Sequence, residues 1–133
     1  MKMCFVAASA LGLCLAAVPV SAGVIESGRL TDGRYECSMY SGSTNMLMGD
    51  MRIRGMSYQG PGDEGHYDGG PYPYRLSGKV VLWGGPMGGW SSGGNKIGST
   101  TIFNNDPADP SFKVIVISSG GNADEIDCIY SGK

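Results

Sequence analysis

Residues 33–40 read "GRYECSMY", and the alternation within this stretch decides the fold. The apolar side chains of Tyr35, Cys37 and Met39 alternate with polar ones. Side chains on a β-strand point to opposite faces with a period of two, so this pattern predicts a strand with one apolar face. Cys37 lies on that face and is therefore predicted to point into the core.

The same pattern returns near the other end of the chain, where residues 125–130 read "EIDCIY". Here Cys128 shares the apolar face with Ile126 and Tyr130. We predict a disulfide between Cys37 and Cys128 that links the first clear strand to the last, as a closed barrel requires. Crosslinks that span about 90 residues stabilise a fold by about 4.6 kcal/mol in the loop-entropy model.

The chain between these two stretches is rich in short runs of β-branched and aromatic residues, separated by Gly, Pro, Asn and Asp. No segment has the apolar spacing of a long amphipathic helix. The further predicted strands cover 46–54, 56–59, 73–77, 79–83, 97–103 and 112–118, with 24–30 as a weaker candidate. We therefore expect an all-β fold, a single small antiparallel β-barrel of about eight strands over residues 23–133.

The first 22 residues have the features of a signal peptide. Lys2 is followed by the uncharged run "CFVAASALGLCLAAVPV" (4–20), and "VSA" (20–22) places small residues before Gly23. Cleavage there would remove Cys4 and Cys14 and leave no membrane span. The sequence thus predicts a periplasmic or secreted protein, a destination in which the remaining cysteine pair would be oxidised.

The charge balance argues against nucleic acid as a partner. The sequence has 10 Lys and Arg against 12 Asp and Glu; without Lys2 the balance is 9 − 12, a net charge of −3. Binding to nucleic acid depends on many basic side chains on one face, whereas the densest basic cluster here is "RIR" (52–54).

Two Gly-rich stretches are predicted to be loops: "QGPGDEGHYDGGPYP" (59–73) and the connection 84–95, which follows Trp83 in "WGGPMGGWSSGG" (83–94) and ends at Asn95. The second stretch is not a phosphate-binding loop, because Lys96 follows Asn95 rather than Gly and no helix pattern comes after it. We expect a wide turn between two strands instead.

Aromatic side chains in and beside these loops suggest a binding surface, since such residues dominate protein contacts. The candidate contacts are Tyr67, Tyr72, Tyr74 and Trp90. Our first functional hypothesis is an exported, non-catalytic binding module that contacts a protein, a glycan or a small ligand through loops 59–73 and 84–95. Catalysis has little in its favour, because the single histidine lies in an acidic loop and both mature cysteines are expected to be oxidised. We expect no cofactor.

A periplasmic metal-handling protein, with copper as the metal, is the alternative. Thioethers select Cu(I), and a histidine with carboxylates holds harder cations. The candidate ligands are Met46, Met48 and Met51 in "MLMGDM", and Asp63, His66 and Asp68 in "DEGHYD". A bulge at Gly49–Asp50 would bring the three methionines to one face. The same residues also have purely structural interpretations. The methionines would fill the core, and the acidic segment would be a solvated loop.

Part of the mature chain resembles the periplasmic inhibitors of c-type lysozyme. That family has cysteines near both ends and an "SGxxY" loop, which is followed by a strand ending in Trp-x-x-Gly. The nearest match here is "GGPY" (69–72), then "KVVLWGG" (79–85); the family's Ser is missing, and Asp68 stands in its position. The resemblance implies a β-barrel and a lysozyme-type inhibitor. The overall pattern is also similar to lipocalin-like barrels, without the Gly-x-Trp of their first strand.

Overall fold

The computed structural model describes residues 28–62, 67, 69–104 and 106–132. The predicted signal peptide and the first residues of the weaker strand candidate 24–30 lie outside this part, and 28–30 are not in a strand. The strands are β1 (Gly33–Ser41), β2 (Thr44–Arg54), β3 (Ser57–Gly62), β4 (Tyr72–Ser77), β5 (Val80–Trp83), β6 (Lys96–Asn104), β7 (Ser111–Ile117) and β8 (Ala123–Gly132).

These eight strands form a closed barrel in which each strand is antiparallel to the next one in the chain. The barrel closes where β1 pairs with β8. The predicted all-β barrel of eight strands is thus confirmed. The strand ends differ from the prediction by a few residues; β3, for example, continues to Gly62 rather than ending at 59.

The disulfide between Cys37 and Cys128 is formed, as predicted. The two residues are directly paired across β1 and β8, with their Cα atoms 4.0 Å apart. Both side chains are fully buried in the core. The crosslink therefore lies on the seam that closes the barrel.

The interior of the barrel is filled by large side chains. Tyr58 packs edge-on against Trp83 with their ring centroids 4.8 Å apart, Trp83 contacts Phe112 at 5.6 Å, and Phe112 contacts Tyr35 at 5.2 Å. The Trp83 indole N–H donates to the hydroxyl of buried Thr100 at 2.7 Å, so its polar atom is satisfied. This aromatic row occupies the space that a hollow barrel would offer to a ligand.

Buried tyrosine hydroxyls close one end of the barrel, called the closed end below. The Tyr74 hydroxyl accepts a hydrogen bond from the Leu30 N–H at 2.7 Å and donates to the Gly55 carbonyl at 2.8 Å. The Tyr35 hydroxyl donates to the Thr31 carbonyl at 2.8 Å. Burial raises the pKa of both tyrosines above the ordinary value, so both remain neutral donors in the physiological range.

The opposite end carries the connections that follow β1, β3, β5 and β7, because the strands alternate in direction. Loops 59–73 and 84–95 therefore meet at the same end, together with the β1–β2 hairpin and the turn at 118–122. We call it the loop end. Any site that uses both Gly-rich loops has to lie there.

We expect Tyr74→Phe to lower the free energy of unfolding by about 1–3 kcal/mol, because the buried Leu30 N–H and Gly55 carbonyl both lose a partner. Tyr72→Phe is the matched control, since Tyr72 is only partly buried. Its loss should stay below about 0.5 kcal/mol. Urea denaturation of both variants checks this; equal losses would contradict the structural role assigned to the Tyr74 hydroxyl.

Candidate functional site

The Gly-rich segment 84–95 packs onto the loop end instead of extending into solvent. It contains one turn of 3-10 helix, Gly88–Ser91, and no longer helix follows it in the described chain. Met87 is fully buried and Trp90 is 6% exposed, so both side chains join the barrel core. The backbone N–H of Met87 donates to the Ser91 hydroxyl at 2.8 Å, which holds the turn together.

Hydrogen bonds tie this segment to two adjacent strands of the barrel. The Tyr58 hydroxyl donates to the Pro86 carbonyl at 3.2 Å and accepts from the Gly85 N–H at 3.0 Å. The Trp90 indole N–H donates to the Met48 carbonyl on β2 at 3.3 Å. Segment 84–95 therefore acts as a plug that is anchored to β2 and β3 and fixes the position of Trp90.

The Asn95 side chain links the plug to the turn after β7. The Asn95 side-chain amide donates to the Gly89 carbonyl at 3.1 Å, and its oxygen accepts from the Ser119 N–H at 3.2 Å. Asn95 thus joins two loops of the loop end through one side chain. Surface loops held in this way by a rigid scaffold are the usual place for binding residues.

The plug leaves a cleft of about 750 Å³ open at the loop end. Its walls come from β1, β2, β3, β7, β8, the plug and the turn after β7. The cleft arises where β1 and β8 separate: their pairing stops at Ser38 and Asp127, so the ends of these strands beyond that pair no longer cover each other. The lining residues that matter below are Glu36, Met39, Met48, Asp50, Trp90 and Asp124.

A bulge in β2 shapes one wall of the cleft. Cys37 pairs with Gly49 and Ser38 pairs with Leu47, so Met48 is an extra residue in the ladder. The predicted bulge at Gly49–Asp50 therefore lies one residue earlier than expected. A bulge bends its strand and redirects nearby side chains, and Met48 is brought into the cleft lining.

The cleft lining is acidic as well as apolar. Asp50 is 6% exposed, and its carboxylate forms an ion pair with Arg34 at 2.9 Å. Glu36 lies directly opposite Asp50 in the β1–β2 ladder, and Asp124 comes from β8. Among the described residues, no Lys or Arg lines the cleft.

Of the four predicted aromatic contacts, one lines the cleft. Trp90 does so while most of its ring is packed in the core. Tyr72 is partly buried and packs against Tyr58 with ring centroids 5.9 Å apart. Tyr74 is buried in the core at the closed end, so it stabilises the fold and is not a surface contact.

Tyr67 is the remaining predicted aromatic contact, and it lies beside β2 rather than in the cleft. The guanidinium of Arg52 lies 5.4 Å from the centroid of its ring, a cation–π arrangement. Within the described part of the chain its hydroxyl is buried without a hydrogen-bond partner. The two aromatic residues of loop 59–73 that the structure places, Tyr67 and Tyr72, thus pack against the barrel wall.

The structure separates the three predicted thioether ligands. Met51 is fully buried in the core, Met48 lines the cleft, and Met46 is exposed. Met39, which the sequence pattern assigned to the core face, pairs directly with Met46 and lines the cleft with Met48. Asp63, His66 and Asp68 lie outside the described residues. In the part that is described, no group of three His, Cys, Asp or Glu side chains is placed to hold a metal ion.

Exposed apolar side chains stand on the β1–β2 hairpin next to the cleft. Tyr40 and Leu47 are each 71% exposed, and Leu47 also contributes to the cleft lining. Sequence reasoning missed these residues and also Glu36 and Asp124. Glu36 lies on β1 and Asp124 on β8, and a polar residue in a strand is usually interpreted as a solvated outer position.

Comparison with models of protein families, with curated proteins and with solved structures gives no match for this chain. Within residues 28–62, 67, 69–104 and 106–132, no helix has the length and apolar character that a membrane crossing needs.

Two neighbouring glycines of the plug should respond differently to alanine. Gly88 has φ of +55°, and a Cβ atom there would lie 2.9 Å from the Pro61 carbonyl oxygen; at Gly89 the space is open and φ is ordinary. We expect Gly88→Ala to lower the free energy of unfolding by about 1–2 kcal/mol, the cost of a left-handed residue with a side chain. Gly89→Ala should change it by less than about 0.5 kcal/mol. Urea denaturation distinguishes them, and equal effects would mean that the plug does not pack against Pro61.

Proposed function

We propose that this protein is an exported, non-catalytic binding module and that its ligand occupies the cleft at the loop end. The observation that carries the proposal is the cleft itself, about 750 Å³ in volume and held open beside a packed core. Ligand sites commonly measure about 300–1,000 Å³ and combine apolar walls with a few polar groups. The lining described above has this composition.

The way the cleft is built favours a preformed site. Trp90 and Met48 are linked by the indole hydrogen bond, and Asn95 joins the plug to the turn after β7. A site whose walls are fixed before binding loses less conformational freedom when a ligand enters. Residues of both Gly-rich segments line the cleft: Pro61 and Gly62 from one, and Gly89 and Trp90 from the other. Tyr67 and Tyr72 do not line it.

Binding is favoured over catalysis by the chemistry of the lining. Cys37 and Cys128 are joined to each other, so neither is a thiolate nucleophile. Asp50 is held by Arg34, which makes it a structural carboxylate. Export is favoured by the same disulfide, since such bonds persist in oxidising compartments, and by the sequence features of residues 1–22.

The proposal is tested by filling the cleft. At Gly89 a side chain meets no atom within 4 Å and needs no unusual backbone, so Gly89→Phe should fold normally and occupy the cleft. Amino acids, short peptides, oligosaccharides and c-type lysozyme are the probes, measured by isothermal titration calorimetry. We expect at least one probe to bind the natural protein and to lose at least about tenfold in affinity with Gly89→Phe, an effect of about 1.4 kcal/mol.

Gly120→Phe is the matched control, because Gly120 has an ordinary φ, a Cβ there would meet only the Ser118 hydroxyl at 3.9 Å, and the residue does not line the cleft. Binding should survive this change. If every probe that binds is insensitive to Gly89→Phe, or if both variants weaken binding equally, the cleft is not the binding site and the proposal is wrong.

Copper handling is a second candidate function, favoured by the methionines at the loop end. Met39 is opposite Met46 across the hairpin, and Met39 and Met48 both line the cleft. Thioether sulfur is a soft ligand that selects Cu(I). Met51, one of the three methionines predicted as copper ligands, is enclosed in the core, so Met39 takes its place in this candidate site.

For this candidate we expect one Cu(I) per chain to be retained against a chelator, with at least about tenfold weaker retention in a Met39→Leu/Met48→Leu variant. Met56→Leu is the control, because Met56 is an exposed methionine at the closed end. Titration of the reduced metal against a colorimetric chelator gives the affinities. Retention that the cleft variant does not change would exclude this site.

A further inference from the structure

Two strand edges are left without a neighbouring strand beside the cleft. The ladder between β1 and β8 ends at the pair of Ser38 and Asp127, and each strand continues past this point without the other. In β1 the residues 39–41 pair with β2 alone, and in β8 the residues 123–126 pair with β7 alone. Apart from these ladders, the backbone hydrogen bonds between described residues involve neither stretch. Residues of both stretches line the cleft, so it lies between the two edges.

The register shows which backbone groups of β8 point to the side that β1 leaves. The Tyr130 N–H donates to the Pro110 carbonyl, which lies on the β7 side of β8. Backbone groups of successive residues in a strand point to alternate sides, and the β7–β8 register has no bulge, so those of Asp127 point to β1. Those of Glu125 and Ala123 point the same way, but β1 no longer runs beside them. We call this side of residues 123–126 the free edge.

A free edge of this kind has a defined chemistry. Its unpaired N–H and C=O groups are a template for another strand. A proline or a bulge would prevent such pairing, and residues 123–126 contain neither. Extended peptides bind to exposed sheet edges in this way, with affinity from main-chain hydrogen bonds and specificity from pockets for alternate side chains.

The cleft determines which side chains an added strand would carry. Its side chains would alternate between the inside and the outside of the barrel wall. Those that point inward would enter the cleft, where Met39, Met48 and Trp90 offer apolar contacts. Those that point outward would lie beside Glu125, which is exposed. The free edge and the cleft together therefore fit an extended segment with an apolar residue at every second position.

We propose that the cleft binds an extended segment of a partner protein, which adds to the free edge of β8 as an antiparallel strand in the place that β1 leaves. Glu125 and Ala123 form its main-chain hydrogen bonds, and its alternate apolar side chains occupy the cleft. This inference rests on the proposed function and adds the class of ligand. Binding of such a segment depends on the N–H groups along one of its edges.

The experiment uses neutral seven-residue peptides in which valine alternates with threonine. One is unmodified, one is N-methylated at its three threonines, and one is N-methylated at three of its valines. Residues that exchange hydrogen bonds across an antiparallel ladder share a face of the sheet, so the outward threonines direct their N–H groups to Glu125 and Ala123. The valine-methylated peptide is the matched control, because its methyl groups lie on the opposite edge.

Fluorescence anisotropy measures the affinity of each peptide for the disulfide-bonded protein. We expect the unmodified peptide to bind and the threonine-methylated peptide to bind at least about tenfold more weakly. The affinity for the valine-methylated peptide should stay within about threefold of that for the unmodified one.

Variants of β8 then place the effect at the free edge. Glu125→Pro removes an N–H group that β7 does not use, whereas the control Glu125→Ala removes the same carboxylate, with its ion pair to Lys113, and keeps the N–H group. We expect Glu125→Pro to weaken binding of the unmodified peptide by at least about fivefold and Glu125→Ala by less than about twofold. Ala123→Pro, at the first residue of β8, where proline is tolerated, should act like Glu125→Pro. Circular dichroism identifies the variants that keep the native fold.

Equal losses for the two methylated peptides, a larger loss for the valine-methylated one, equal effects of Glu125→Pro and Glu125→Ala, or no binding of the unmodified peptide would each overturn the inference. Sedimentation of the natural protein is a further test. A dimer that Glu125→Pro dissociates and Glu125→Ala leaves intact would mean that a second copy, not a partner segment, occupies the free edge.

Failure of this inference is distinguishable from failure of the proposed function. If Gly89→Phe excludes a ligand whose affinity Glu125→Pro leaves unchanged, the cleft is a binding site and the free edge is not part of it. If Gly89→Phe weakens the binding of no probe, both proposals fail.

Discussion

The pairing of β1 with β8, crosslinked by Cys37 and Cys128, is the constraint on which the rest of the structure depends. The two cysteines are 91 residues apart, so β2 to β7 all lie within the loop that the disulfide closes. Bringing such distant strands together has the largest entropic cost in the fold, and the crosslink removes much of it from the unfolded chain. Closure also gives each of the eight strands a partner on both sides, which reduces the sheet edge that other chains could pair with.

The filled interior then determines where a ligand can bind. Tyr58, Trp83, Phe112 and Tyr35 occupy the barrel from side to side, and tyrosine hydroxyls close one end. The strands near the loop end are unequal in length: β5 has 4 residues, whereas β6 has 9. Segment 84–95 connects these two strands and packs over the loop end. The cleft lies elsewhere at this end, where the pairing of β1 with β8 stops at Ser38 and Asp127.

Features that depend on neighbouring residues could be predicted from the sequence, whereas features that depend on residues far apart in the chain could not. The alternation around Cys37 and Cys128 is local, and it was enough to predict the strands, the disulfide and the barrel. Trp90 is different, because its hydrogen bond joins it to a residue 42 positions away, and nothing in the neighbouring glycines indicates whether its ring points inward. The cleft itself is also non-local, because it forms where the β1–β2 ladder bulges at Met48 and the β1–β8 ladder ends at Ser38 and Asp127.

The glycines of the plug have two separate physical roles, although they look alike in the sequence. A Cβ atom at Gly85 would lie 2.5 Å from the Tyr72 ring, and one at Gly88 would lie 2.9 Å from the Pro61 carbonyl, so the plug can pack against β3 and β4 only without side chains there. Gly89 has free space around it and lines the cleft, so the missing side chain leaves volume instead of allowing contact. A composition typical of a flexible connector therefore has two effects here: it lets segment 84–95 cover the barrel, and it keeps part of the loop end open.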